Sequence, residues 1–303
     1  MAPSDTGIGH PESEAVLRVF LHIPKTGGQT LRRMFLRRYG RASYFLLGPY
    51  RPDPGRPKPV TTRDSLDRVA ALTPVERARL RVAGGHIQAG AIPRLPGLPR
   101  CFALVRDPVK RLVSLYRHAR RKEKHSLWLD LQGMSLEAFA ASAVTRQLDN
   151  DQTRRLAGVS EPGIEGEFSD TDAALLGRAR ANVARWFDLV GITERFDESL
   201  LLLQDAWGLR LPLYEAVNRA GANQRGEPPA ARALGLLRER NALDLELHNE
   251  ARALLQDRMA RAGEPFQRRL RRFRWSNARY GPVLTFLDAV ELRLPWLRPL
   301  LPR

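Results

Sequence analysis

The chain has 303 residues, 43% of them hydrophobic, enough to bury a full core as one large domain or two small ones and too many for a disordered polymer. Fifty Lys and Arg face 33 Asp and Glu, and the resulting charge of +17 draws nucleic acid, anionic membrane, acidic polysaccharide or a phosphorylated cofactor without telling them apart. A single cysteine, Cys101, excludes an internal disulfide framework and a cysteine-rich metal site, and no apolar run reaches the length of about 18 residues that a spanning helix needs.

Residues 1–14 lack the basic-then-apolar order of a secretory leader, so the expected setting is the cytosol, with peripheral contact at the inner membrane surface open to so basic a chain. The expected organisation is a flexible N-terminus over 1–14 and one domain over 15–303, with a helical extension from about 256. AVLRVFLHI at 15–23 reads as a buried strand. Pro24 and the Gly27-Gly28 pair break it, and a helix follows from Thr30, with Leu31, Met34, Phe35 and Arg38 at helical spacing. Residues 49–62 are proline-rich and basic, an exposed loop. A short helix is expected over 74–81, with Thr73 and Glu76 as a capping box. Gly84-Gly85-His86 comes next, then a rigid connection over 93–99.

Cys101 to Val105 is a second strand, closed by Arg106-Asp107-Pro108, and Pro108 suits the first turn of the next helix. There Val109, Leu112, Val113 and Tyr116 face the core, and the basic residues at 117–124 face water. Further helices are expected at 134–148, 170–185, 197–206, 230–261 and 280–293, a strand at 187–192, and loops near 158–166 and 219–229. The basic stretch 261–274, with Phe266, Phe273 and Trp275, suits either nucleic acid or a helix covering the core, and the apolar residues at 292–301 suit packing, an oligomer contact or a membrane interface. Strands alternating with helices predict an α/β fold: a central, mostly parallel sheet covered on both faces, with the site at the carboxyl ends of the strands. Lys25 and Arg106 both fall just past strand candidates.

The loop Pro24-Lys25-Thr26-Gly27-Gly28-Gln29-Thr30 is not a Walker A sequence, because its lysine precedes the glycines. Strand, glycine turn and helix nevertheless form the setting in which backbone amides receive phosphate. Thr26 and Thr30 offer hydroxyls, and Lys25 offers a mobile positive charge. From spacing alone, an ordinary strand-to-helix turn with a surface lysine reads the same. Arg106 has the geometry of a phosphate donor, while Asp107 suits the start of a helix. No HExxH, cysteine cluster or recurring carboxylate motif points to a metal.

HIPKTGGQT at 22–30 and LVRDPVKRLVSLY at 104–116, with DNDQTRRLAG at 149–158, DLVGITERFDESL at 188–200 and NALDLELHNEA at 241–251, resemble the sulfotransferase superfamily, in particular its heparan sulfate 2-O-sulfotransferase-like and bacterial carbohydrate sulfotransferase branch. The resemblance implies a three-layer, P-loop NTPase-like sulfotransferase fold. It implies a sulfuryl donor, PAPS (adenosine 3'-phosphate 5'-phosphosulfate), and the product PAP, without a metal. It assigns Lys25, Thr26, Gly27, Gly28, Gln29 and Thr30 to the donor's 5' side and Arg106 and Ser114 to its 3'-phosphate. By likeness to a Gly-His element, His86 is the general base beside catalytic Lys25. Arg154 and Arg155 are candidates for donor or acceptor anions, with solvated loop arginines as the plain alternative. The implied acceptor is a hydroxyl on a carbohydrate, glycoconjugate or other molecule; an anionic polymer or membrane contact is compatible with the charge, nucleic acid is disfavoured, and oligomeric state is undetermined. A nucleotide phosphotransferase or hydrolase and a noncatalytic polyanion-binding protein are the competing classes.

Overall fold

Val19, Phe20 and Leu21 are all fully buried in succession. Neighbouring strand residues point to opposite faces, so the strand that carries them is covered on both sides. The structure, a computed structural model, describes residues 16–49, 60–159, 172–214 and 228–293. Five strands, β1 (Val16–Leu21), β2 (Tyr44–Leu47), β3 (Val82–Gly85), β4 (Leu98–Val105) and β5 (Phe187–Ile192), form one parallel sheet in the order β2-β3-β1-β4-β5. The chain steps leftward from β1 to β2 through α1 (Gly28–Tyr39) and rightward from β4 to β5 through α4 (Pro108–Ala119), α5 (Leu136–Ala141), α6 (Asp151–Ala157) and α7 (Asp172–Trp186). Right-handed crossovers in opposite directions place helices on opposite faces. On one face, Phe20 of β1 meets Phe35 of α1, and Phe102 of β4 meets Trp207 at the end of α8 (Phe196–Trp207). The expected parallel sheet flanked by helices is the observed architecture.

Two elements lie where a loop was expected or nothing was assigned. Residues 50–59 fall outside the description, but Thr62 already starts α2 (Thr62–Ala70), whose N-cap Thr61 forms a capping box with Asp64. β3 was hidden by its glycines, which read as breakers. A side chain on Gly85 would lie 1.7 Å from the Leu47 carbonyl oxygen, so glycine marks close approach of β2 to β3 there. The capping box at Thr73 and Glu76 is present and opens α3 (Pro74–Arg79).

Long helices inferred from composition are broken by side chains that bind the backbone. Instead of one helix over 134–148, α5 ends where the Ser142 hydroxyl donates to the Phe139 carbonyl, and a 3₁₀ turn follows under a Thr145 cap. The expected 230–261 helix divides into α9 (Ala231–Glu239) and α10 (Ala242–Arg293), itself kinked at Gly263, where φ is +59°. The break between α9 and α10 falls where Arg240 turns aside to grip both carboxylate oxygens of Asp149 and Asn241 donates to the Leu148 carbonyl. In the basic stretch after the kink, Phe266 and Leu270 are buried in the core while Arg269 and Arg274 pair with Asp205 and Asp197. Trp275 stays exposed. The expectations for 160–166, 219–227 and the terminal apolar residues lie outside the described side chains.

The stretch at 149–158, read as a loop, holds α6, and the residues around the start of that helix are the centre of a buried polar weld. Asn150, at φ +45°, accepts the Leu243 and Asp244 amides at the opening of α10. Asp244, fully buried, accepts from the Gln152 amide and from both the amide and the hydroxyl of Thr153. Arg111, also fully buried, pairs with Asp151 at 3.0 Å and donates to the Gln147 carbonyl at 2.6 Å. The other oxygen of Asp151 holds Arg155. Removing one member of such a pair leaves a buried charge without its partner. Arg111→Met is therefore expected to lower unfolding free energy by about 3–5 kcal/mol in urea titrations, and a loss below about 1 kcal/mol would show that the weld is not structural.

Candidate functional site

The loop at 22–30 follows from the end of β1. After Leu21 the His22 amide still bonds the Gly85 carbonyl at 2.8 Å, extending the β1–β3 ladder one residue. The chain then turns sharply: Lys25 sits at φ +71° and Gly27 at +89°. A left-handed backbone is unusual for lysine, and here Arg106 stabilises it by donating from Nη1 to the Lys25 carbonyl at 3.0 Å. The Thr193 hydroxyl, just past β5, shares its one proton between the carbonyl oxygens of Thr26 at 2.8 Å and Val105 at 3.0 Å, tying the loop to the ends of β4 and β5. Helix α1 opens with no acidic residue in its first turn and no side-chain cap, so no side chain caps its first amides, a setting that suits an anion.

Gly28 has a specific packing reason. A Cβ there would stand 2.0 Å from the His22 ring, so only glycine lets the helix start lie on that ring. His22 in turn stacks between Phe20 and His86, with the two imidazole centroids 4.3 Å apart. Burial and then the neighbouring His86 hold its pKa well below the ordinary histidine value. His22 is thus a neutral ring that packs against Phe20 and His86 at the edge of the cavity.

His86, immediately past β3, places Nδ1 2.9 Å from the His22 carbonyl oxygen. A carbonyl only accepts, so Nδ1 carries the proton and Nε2 is the free acceptor. Burial, followed by the charge of Arg155, pushes its pKa down to about 4. Lys25 is pushed down to about 8, by burial first and then by Arg106. One group is thus neutral and the other mostly charged near neutral pH.

A cavity of about 1000 Å³ is lined by Lys25, Gly27, Gly28, Gln29, Thr30, His86, Arg106, Ser114 and Arg155, gathering residues from five separate stretches of sequence. Arg106 and Ser114, eight residues apart in the chain, border the same space. Thr26 does not: it is fully buried and its hydroxyl donates to the Ile23 carbonyl, so it shapes the loop from within. Arg154 also lies off the cavity wall and turns back to the Asp149 carbonyl. The cavity suits an anionic ligand. Arg106 Nε is buried without a hydrogen-bond partner, and the Glu194 carboxylate stands 4.0 Å from it. No cluster of metal-ligating side chains occurs among the described residues.

Sequence reasoning missed Gln152. Its side chain is fully buried, accepts from the Arg106 amide at 2.8 Å and donates to the Arg106 carbonyl at 2.8 Å. In DNDQTRRLAG a glutamine flanked by helix-capping residues gives little signal in one sequence. Thr193 was passed over for the same reason.

The model of the sulfotransferase family matches residues 18–200, which contain every site residue discussed so far. Galactose-3-O-sulfotransferase 3 of Bos taurus is 37% identical over 139 residues, 43% of this chain and 32% of that protein; the Mus musculus and Homo sapiens proteins of the same name are each 36% identical over 137 residues. The match therefore spans about a third of the length of these curated relatives, and none of the three carries a heparan sulfate 2-O-sulfotransferase name. Among solved structures, mouse sulfotransferase SULT7A1 complexed with PAP aligns at a TM-score of 0.35 and 12% identity, over 67% of this chain and 61% of that one. The motifs at 22–30 and 104–116, joined at one cavity and enclosed by the family match, make this chain a member of the sulfotransferase family.

Proposed function

We propose that the protein transfers a sulfuryl group from PAPS to a hydroxyl of a carbohydrate or glycoconjugate. The observation that carries this reading is the single cavity in which a helix-start amide cradle, Lys25 and Arg106 meet a neutral histidine with a free Nε2. Family membership and the galactose-3-O-sulfotransferase relatives support the reaction class and the saccharide acceptor. The amides at Gly28 and Gln29, with Thr30, hold the 5'-phosphate of the donor, and Arg106 with Ser114 holds the 3'-phosphate. The acceptor oxygen attacks sulfur in line as His86 Nε2 takes the hydroxyl proton. The new O–S bond forms as the bond from sulfur to the 5'-phosphate oxygen breaks, and Lys25 neutralises the charge arriving on that oxygen. PAP leaves. Arg155, held by Asp151, adds a fixed positive charge beside His86.

Labelled sulfuryl transfer from PAPS onto a panel of glycans, glycolipids and phenols tests the reading. Wild-type protein should sulfate a saccharide, and His86→Ala and Lys25→Ala should each lower kcat by about 10²–10⁴-fold while unfolding at the wild-type denaturant concentration. Full turnover in either variant would remove that residue from the chemistry, and magnesium-dependent ATP turnover without sulfuryl transfer would favour a phosphotransferase.

The lowered pKa of Lys25 gives a second expectation. Its charge is present below pH about 8 and lost above it, so calorimetric affinity for PAP should fall as pH rises through that value, by at most about tenfold per pH unit for one proton. Lys25→Arg should flatten the profile up to pH about 10, since guanidinium keeps its proton there. A flat wild-type profile would contradict a Lys25 that contacts the donor and loses its charge near pH 8.

A further inference from the structure

We propose that His118, Lys122 and His125 form an oxyanion subsite for the acceptor, so that the favoured saccharide carries a carboxylate or sulfate ester near the hydroxyl that is modified. This inference rests on the sulfotransferase reading above and narrows its substrate class.

All three side chains line the same cavity as Lys25 and His86. His118 lies on the last turn of α4, one turn beyond Ser114 and so about 6 Å farther along the helix axis from the Arg106 end. Lys122 and His125 follow in the turn that leaves the helix. The leading charges acting on the two histidines are positive. The charges acting on His118 are those of Lys25, Lys122, His125 and Arg121, and those on His125 are Lys25 and Lys122. Some buried or half-buried cations of the fold are matched, as Arg240 is with Asp149 and Arg111 with Asp151. Lys122 pairs with no carboxylate among the described residues, and Glu123, its neighbour in sequence, is not on the cavity wall. The acids that do line the cavity have other partners: Glu194 has Arg106 and His248, and Asp197 and Glu198 have Arg274.

The hydrogen bonding of His125 gives it the opposite character to His86. The Leu127 amide donates to His125 Nδ1 at 3.2 Å, so in the neutral ring Nε2 carries the proton and is a donor. One cavity therefore holds a histidine that accepts a proton and, beyond Lys25, a histidine that donates a hydrogen bond beside an unpaired ammonium. That second pair suits an oxyanion. The donor's phosphates already have the loop amides, Arg106 and Ser114 in this reading, which leaves His118, Lys122 and His125 for the other ligand of the same cavity.

The test compares kcat/KM for a neutral oligosaccharide, the same oligosaccharide bearing a uronic carboxylate, and the same bearing a sulfate ester, with PAP affinity measured alongside by calorimetry. The acidic acceptors should be preferred by about tenfold, and whichever is preferred identifies the oxyanion. Lys122→Ala and His125→Phe should each cut that preference by about five- to tenfold, and His125→Gln, which keeps a donor, should restore most of it. PAP affinity should change less than about twofold in Lys122→Ala. Equal use of neutral and acidic acceptors would overturn the subsite and leave the sulfotransferase reading standing. Loss of PAP affinity in parallel with the preference would assign these residues to the donor and likewise overturn it. Transfer to no acceptor at all would overturn both.

Discussion

Everything at the site depends on the two hydrogen bonds by which Gln152 grips the main chain of Arg106. Past the end of β4 the strand ladder stops, and the amide and carbonyl of Arg106 would otherwise need water. A primary amide is the one side chain whose donor and acceptor together match an extended residue's own pair. With its backbone fixed, Arg106 can reach across and hold the strained Lys25 carbonyl, which stabilises the left-handed turn of the donor loop. Gln152 is itself fixed from below, because its amide and that of Thr153 end on the buried carboxylate of Asp244. The late helix α10, remote in sequence, thereby sets the position of a loop near residue 25.

The cost of this arrangement is a core with several ionisable groups in it. Burial raises the pKa of Asp244, opposed by the charge of Arg111 and by hydrogen bonds from Thr153 and Gln152. The buried Arg111–Asp151 pair extends the same network to Arg155 at the cavity wall. A buried ion pair is a weak source of net stability but a strong constraint on geometry once built, because any displacement leaves a desolvated charge unpaired. The polar layer between α4, α6 and α10 therefore acts as the rigid floor of the site, and the apolar sheet beneath it supplies most of the stability.

Much of this was legible in the sequence. β1 and β5 lie close to where apolar runs predict them, and the end of β4 falls where its run ends at Val105. The caps at Thr73 and Asp107 are visible as residue types at fixed spacing. The loop at 22–30 and Arg106 stand out because glycines and an arginine just past strands are unusual and chemically specific. What escaped was determined by contacts distant in the chain. β3 is read as a break because its glycines are required by the neighbouring Leu47 carbonyl and Tyr44 hydroxyl rather than by a turn. α6 looked like a polar loop because its N-terminal amides are satisfied by Asp244, 92 residues away in the case of Gln152. Arg111 was counted with no face at all, since a charged residue one position from Leu112 gives no sign that its partner is Asp151. The two histidine tautomers are fixed by backbone groups at His22 and Leu127, which only the folded chain brings into place.

The central claim, that one cavity orients a 3'-phosphorylated nucleotide between the α1 amides and Arg106, is tested most directly by a crystal structure of the protein with PAP. The account predicts the 5'-phosphate on the amides of Gly28 and Gln29 beside Lys25, and the 3'-phosphate in hydrogen-bond contact with Arg106 and Ser114. PAP bound in the reverse orientation, or outside this cavity, would contradict it.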